Sequence, residues 1–267
     1  MALAQASGRV LALTLVMGMR WLAVIIVLAV SLAGPAKVLA HGPILIHSVE
    51  DLYGLATGFG TAASPFVIEN LRVDANGEPF AILIANISCP LILRNLEVYG
   101  ASVAAIRVQN VKNLVMENLV IRGSLAGILV GGSQNITIKK VRVENCADGI
   151  RLMFSRAITL TEIVVEKAEV GIWFQGVTTS TLQRSVIQEC GIGLILELGS
   201  TGNLVAGNAF LANHVHAQSC GSNQFDDGQR GNFWEGFSAK DVNSDGIWDE
   251  SYPVGLDVDR FPLVSPP

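Results

Sequence analysis

Glycine returns every 22 residues through the middle of this chain, at Gly127, Gly149, Gly171 and Gly193, each followed by Ile or Leu. Ala105-Ile106 extends the column upstream, and two further columns keep the same interval: Leu119, Val141, Ile163, Ser185 and Leu114, Ile136, Ile158, Ser180. Three columns in phase make the 22-residue unit a structural repeat. Within a unit the apolar residues alternate, as in Ile136-Thr137-Ile138 and Val141-Arg142-Val143, and no stretch carries helical spacing, so each unit reads as three short strands. The fold class is all-β: a single-stranded parallel β-helix in which every strand pairs with its equivalent one coil away and the inward residues stack into one core. About seven coils fit between Ser64 and Ser222, a cylinder on the order of 34 Å long at roughly 4.8 Å per rung. A leucine-rich repeat would need a Leu-rich consensus closing on Asn or Cys, whereas these units are rich in Val, Ile and Gly.

The columns assign roles. The repeated glycine marks a sharp corner, expected at positive φ. Asn86, Asn110, Ser133, Ser155, Ser200 and Ser222 fall near the end of the following strand, where stacked side chains can satisfy turn backbone from rung to rung. Cys146 and Cys190 stand two periods apart with Ala168 between, about 9 to 10 Å, too far for a disulfide. Cys89 and Cys220 belong to opposite ends, so free, buried thiols are expected.

The ends do not follow the repeat. Residues 1–40 carry Arg9, Arg20 and Lys37, no acid, and the apolar run Trp21 to Leu32; with the small-residue end Val38-Leu39-Ala40 they read as a secretory signal cleaved after Ala40, which if uncleaved would anchor the chain in a membrane. The protein is therefore expected outside the cytoplasm. The remaining segments are a lead-in at 41–63, the β-helix at 64–222 and a C-terminal cap at 223–267. With 50% hydrophobic and only 15% charged residues, the chain is neither disordered nor a coiled coil. Removal of the signal leaves 15 basic against 23 acidic residues, a net charge of −8, which argues against a nucleic-acid partner.

Nine acids lie between Asn223 and the end against Arg230, Lys240 and Arg260. Asp241, Asn243, Asp245, Gly246, Ile247 and Asp249 follow the first nine positions of an oxygen-ligand calcium loop: side chains at 1, 3 and 5, a glycine turn, a backbone carbonyl at 7 and a ligand at 9. Position 12 is Tyr252, so the bidentate ligand would be Glu250, Asp257 or Asp259. A structural Ca²⁺ is expected there.

With Ile106, Ile128, Ile150, Ile172 and Leu194 facing in, the next position faces out. Arg107, Leu129, Arg151, Trp173 and Ile195 form one outward column, and Gln109, Gly131, Met153, Gln175 and Glu197 a second. Together Arg107, Gln109, Arg151, Met153, Trp173, Gln175 and Glu197 make a shallow groove whose aromatic face, guanidiniums and amides suit a polysaccharide or a protein. Lyase or epimerase chemistry would need a base and a neutralising cation at one subsite. Glu197 is the lone acid in these columns and the two arginines are two rungs apart, so the residues favour binding over catalysis. His41, His47, His214 and His216 are the only histidines. His41 at a new N-terminus could chelate Cu(II), His214 and His216 alternate on one strand, and Met153 could add a soft ligand, but they belong to different rungs.

The stretch Gly58-Phe59-Gly60-Thr61-Ala62-Ala63-Ser64-Pro65-Phe66-Val67-Ile68-Glu69-Asn70 resembles the opening motif of NosD-type periplasmic β-helix proteins. Gly231-Asn232-Phe233-Trp234, the 241–249 segment and Tyr252-Pro253 resemble their closing motif, and Gly149-Ile150-Arg151-Leu152-Met153-Phe154-Ser155 is similar to a Met-Phe-Ser rung of the same family. The resemblance implies a right-handed helix outside the cytoplasm. For function it implies a range, from copper-site assembly in nitrous oxide reductase to carbohydrate-active relatives.

Overall fold

The alternating pattern folds into two long parallel sheets that share one apolar interior. The structure, a computed structural model, describes residues 39–267, so the expected signal segment lies outside the described residues except for Leu39 and Ala40. These two open a strand, Leu39–His41, that pairs with Phe66–Asp74 in the register Ala40↔Arg72, and the expected cleavage point falls within it.

One sheet takes a single strand from each coil: β1 (Ile44–Ile46), β2 (Phe80–Ala85), β3 (Ala104–Gln109), β4 (Ala126–Gly131), β5 (Asp148–Met153), β6 (Val170–Gln175), β7 (Ile192–Glu197) and β8 (Val215–Ser219), hydrogen-bonded in that order. The helix thus has about eight right-handed turns rather than seven. The additional rung is β1, whose Ile44 stands beside Ile82. The period hides it, because a long connection with a short 3-10 turn, Glu50–Leu52, intervenes before the next coil. Ile82, Ile106, Ile128, Ile150, Ile172 and Leu194 form an unbroken inward column, all fully buried.

The second sheet holds the other two arms of each coil. Lys112–Arg122, Gln134–Glu144 and Arg156–Glu166 are eleven-residue strands, each bent at its centre by a residue at positive φ: Asn118, Lys140 and Glu162. In the next two coils the same arms separate into Thr181–Gln183 with Val186–Gln188, and Leu204–Ala206 with Ala209–Leu211. The three-strand reading of the repeat holds.

The glycine column has a different cause from the one expected. Gly127, Gly149, Gly171 and Gly193 are not at positive φ. Instead, each has the carbonyl of the next rung packed over its Cα: a Cβ on Gly149 would lie 2.3 Å from the Gly171 oxygen and 2.4 Å from Val165 Cγ1. The requirement is close approach, not a special dihedral. The left-handed corners lie elsewhere, for example Asn110, Gly132, Phe154, Gly176 and Leu198 at the exit of the first sheet.

Stacked hydroxyls and amides satisfy the corners as expected. Ser133 Oγ accepts the Val111 N–H at 3.0 Å, Ser155 Oγ accepts Ser133 N–H at 3.1 Å, and Ser200 Oγ accepts Val177 N–H at 3.1 Å, while Asn110 Nδ2 donates to Asn86 Oδ1 at 2.9 Å. Ser222 takes part through its carbonyl, which accepts from Gly202. The sequence reading missed a second ladder that begins where the Leu and Val columns give way to Ser: Ile163 N–H to Ser185, Ser185 N–H to Asn208, Asn208 N–H to Asn232, and Asn232 N–H to Asp259. Buried polar atoms can replace aliphatic ones here because every donor finds an acceptor one rung on.

The cap closes the far end with aromatic rings. Trp234 stacks between Phe210, 4.5 Å away, and Tyr252, 4.4 Å away, and its indole N–H donates to Asp259 at 2.9 Å. Arg260 pairs with buried Asp226 at 2.8 Å. Burial pushes the Asp226 carboxyl up, but hydrogen bonds from Arg260 and Gly228 outweigh it and leave its pKa below the ordinary value. All four cysteines are free. Cys146 and Cys190 are buried, Cys89 is half-buried, and Cys220 is exposed, contrary to the expectation of four buried thiols, since it follows the last strand of its sheet, where no further coil covers it.

Candidate functional site

The two outward columns are in register. Arg107↔Leu129↔Arg151↔Trp173↔Ile195 and Gln109↔Gly131↔Met153↔Gln175↔Glu197 run across β3 to β7. The side chains are not an array of free groups, however. The Arg151 guanidinium lies 4.0 Å over the Trp173 ring, Arg151 Nε donates to Gln175 Oε1 at 2.8 Å, and its Nη1 reaches Asp148 Oδ2 at 3.2 Å. Glu197 Oε1 then accepts from both Trp173 Nε1 and Gln175 Nε2 at 3.0 Å. The patch is one connected network that fixes the orientation of the indole and guanidinium.

Gln175 is buried within it and serves as a support instead of a contact group. Asp148 was not among the expected residues. It opens β5 three residues before Arg151, and the irregular step at Gly149 brings both side chains to one face; the i,i+3 Asp/Arg spacing was the available signal. Burial raises the Asp148 pKa above its ordinary value, partly offset by Arg151. Two rungs upstream, Arg107 Nη2 donates to Gln109 at 3.3 Å, and burial lowers its guanidinium pKa. Met153 is half-buried, in register between Gly131 and Gln175.

At the cap, the 241–249 loop turns around its own oxygen-bearing side chains. Asp241 accepts from the N–H groups of Asp245 and Gly246, Asn243 from Asp245, and Asp245 from Ile247, at 2.9 to 3.2 Å. Gly246 supplies φ +83 for the turn. Asp249 instead accepts from Val242 N–H, and Glu250 is exposed. Among the described residues no three His, Cys, Asp or Glu side chains are gathered in metal-ligand geometry. The first half of the loop has its oxygens turned inward, and the second half does not complete the set.

With this geometry in hand, a family model described as periplasmic copper-binding protein (NosD) matches residues 67–239, well over half of the chain. The chain belongs to the NosD family. No curated protein sequence matches it. Among solved structures it is similar to the A-module of the Azotobacter vinelandii mannuronan C-5 epimerase AlgE6, at 15% identity and a TM-score of 0.52, over 59% of this chain and 50% of that one. It is also similar to an alginate lyase from Paenibacillus sp. str. FPU-7, at 13% identity and a TM-score of 0.35, over 64% and 83%. This NosD-family chain spans about half the length of the epimerase module, and the likeness at this identity is one of fold.

The copper in the family description finds no assembled site among the residues proposed for it. His41 is exposed on the Leu39–His41 strand, its Nδ1 2.7 Å from the Gly42 carbonyl. His47 follows β1 and is exposed. His214 precedes β8 instead of sharing it with His216, because the chain is still turning there, and His216 Nε2 is 2.8 Å from the Glu235 carbonyl. Met153 stands several rungs from all four. The described residues of this NosD-family protein therefore do not fit a single copper centre. No helix among them is long and apolar enough to cross a membrane.

Proposed function

We infer that this NosD-family protein is an exported, periplasmic binding module that holds a polysaccharide across the face of β3 to β7. The carrying observation is the Asp148–Arg151–Trp173–Gln175–Glu197 network. It fixes the Arg151 guanidinium over the Trp173 ring as one preorganised surface, which lowers the entropy lost when a sugar packs against the exposed part of the pair and hydrogen-bonds to its donors. Arg107 and Gln109 extend the same face two rungs upstream, and Met153 shares the strand of Arg151.

A glycan array with the purified protein identifies the ligand class, and Trp173→Ala with Arg151→Ala tests the surface. The double variant is expected to weaken binding at least tenfold with an unchanged β-sheet circular dichroism spectrum, since both side chains are partly exposed and no core contact is lost. Unchanged affinity would remove this face from the function. Unsaturated elimination products from the bound glycan would favour a lyase instead, and inverted sugar residues in an uncleaved chain an epimerase.

Copper handling is the second reading, favoured by the family description. It requires ligands to be drawn together from separate rungs, and a stoichiometric Cu(I) or Cu(II) titration that His41→Ala abolishes would support it. Calcium at the 241–249 loop is a structural reading independent of both. It is supported by the inward-turned oxygens of Asp241, Asn243 and Asp245, and it requires the Ile247 carbonyl, Asp249 and Glu250 to turn in as the remaining ligands. Calcium is expected to raise the melting temperature by a few degrees, and Asp245→Ala to remove that increment; identical melts in calcium and in chelator would exclude it.

A further inference from the structure

One corner column breaks its own rule. At the exit of the first sheet the chain passes through the left-handed region at Asn86, Asn110, Gly132, Phe154, Gly176 and Leu198. Asn and Gly are the residues that region favours, and a bulky side chain there costs about 1–2 kcal/mol. Like Leu198 at φ +52, Phe154 holds φ +47 and is mostly exposed, 66% against 64%, so its side chain secures no core packing there. Its ring leans over Gly176, where a Cβ would come within 2.8 Å of it, while a Cβ on Gly132 would meet nothing within 4 Å. The two glycines leave the ring standing in a cleft of about 270 Å³.

The floor of that cleft is cationic. Lys112, Gln134 and Arg156 occupy one register column on successive rungs, followed by Thr178, and all four line the cleft with Phe154. Arg156 donates twice to Gln134 Oε1, at 2.9 and 2.7 Å. Among the described residues neither Arg156 nor Lys112 has a carboxylate within ion-pair distance, a state they share with Arg107, Lys140, Lys167, Arg184, Arg230 and Lys240. No acid lines the cleft.

We propose that Phe154, Arg156, Lys112 and Gln134 form a subsite for an acidic sugar, a uronate ring stacked on Phe154 with its carboxylate held by Arg156 and Lys112. A sugar ring offers an apolar C–H face to the aromatic and a hydroxyl edge to Gln134 and Thr178. The guanidinium fork matches a carboxylate. The cleft is too small for a protein surface that must bury a continuous apolar area. The site rests on the polysaccharide reading only in taking a sugar as its occupant, and it uses none of the groove residues.

Isothermal titration of the purified protein with short oligomannuronates and oligogalacturonates, and with neutral cello-oligosaccharides of equal length, tests it. Uronates are expected to bind and cello-oligosaccharides to bind at least tenfold more weakly, with the difference shrinking at high salt. Arg156→Gln is expected to weaken uronate binding at least tenfold. Phe154→Asn installs the residue the corner prefers, so it is expected to weaken binding similarly while keeping or raising the melting temperature, which separates lost contact from lost fold. Trp173→Ala reports on the groove by itself. Uronate affinity that survives both Arg156→Gln and Phe154→Asn overturns the subsite, and in that event its loss in Trp173→Ala would leave the groove reading standing. Absence of uronate binding, or equal binding of the neutral chains, also overturns it.

Discussion

Gly171→Val is expected to keep the chain from folding, or to lower its melting temperature by 10 °C or more at roughly 2–4 °C per kcal/mol. The first added carbon would sit 2.5 Å from the Gly193 carbonyl oxygen and 2.7 Å from Ile187 Cγ2. One of these is backbone and the other a fully buried side chain, so neither can yield without separating two rungs. The loss is on the order of 5 kcal/mol. Because the cause is space and not dihedral angle, Gly171→Ala should be nearly as damaging. Gly123→Ala, at φ +61 with nothing within 4 Å of the added carbon, should cost only about 1 kcal/mol. Thermal melts of the three variants decide the matter, and a mild Gly171→Ala would return the explanation to backbone conformation.

Trp234→Ala is expected to cost about 3–5 kcal/mol. It removes the middle of the Phe210–Trp234–Tyr252 stack and one of the donors that hold Asp259. That carboxyl is fully buried, and burial pushes its pKa up to about 6 against hydrogen bonds from Asn232, Trp234 and Phe261 that favour the ionised form. The folded state therefore keeps a proton that the unfolded chain releases near pH 4. The contribution is fully present below about pH 4 and is lost as the pH rises through about 6, by roughly 3 kcal/mol. Urea midpoints measured from pH 4 to 7 should show this decline relative to Asp259→Asn, which has no proton to lose; parallel curves for the two proteins would show that Asp259 ionises normally.

The repeat was legible because a solenoid copies its inward positions at fixed spacing. Ile106 to Leu194 and the two outward columns followed directly from the period and from strand alternation. What could not be read was anything set by contact between rungs. The glycine column suggests a corner, and only the carbonyl of the next rung explains it. Arg151 and Trp173 were placed on one face correctly, but their capture by Asp148, Gln175 and Glu197 depends on rotamers that a column does not specify. The left-handed corners were hidden for a related reason. Lys140, Glu162 and Arg184 hold the same angle as Asn118, so residue type does not mark the bend once neighbouring rungs impose it.

The cap does more than complete the core. A stack of parallel strands exposes hydrogen-bonding groups at its last rung, and a second molecule could dock there end to end and continue it. In this chain residues 256–263 cover part of that edge. Leu256 N–H donates to the Ser219 carbonyl on β8, Gly231 N–H to Phe261, and Leu263 N–H to Asn232. The strands of the closing segment, Tyr252–Val254 and Asp257–Asp259, pair with each other in a separate antiparallel sheet and not with the last parallel rung. The terminal segment thus withdraws part of the last rung's hydrogen-bonding edge from any incoming strand, so that at this end the repeat gives way to a structure that does not repeat.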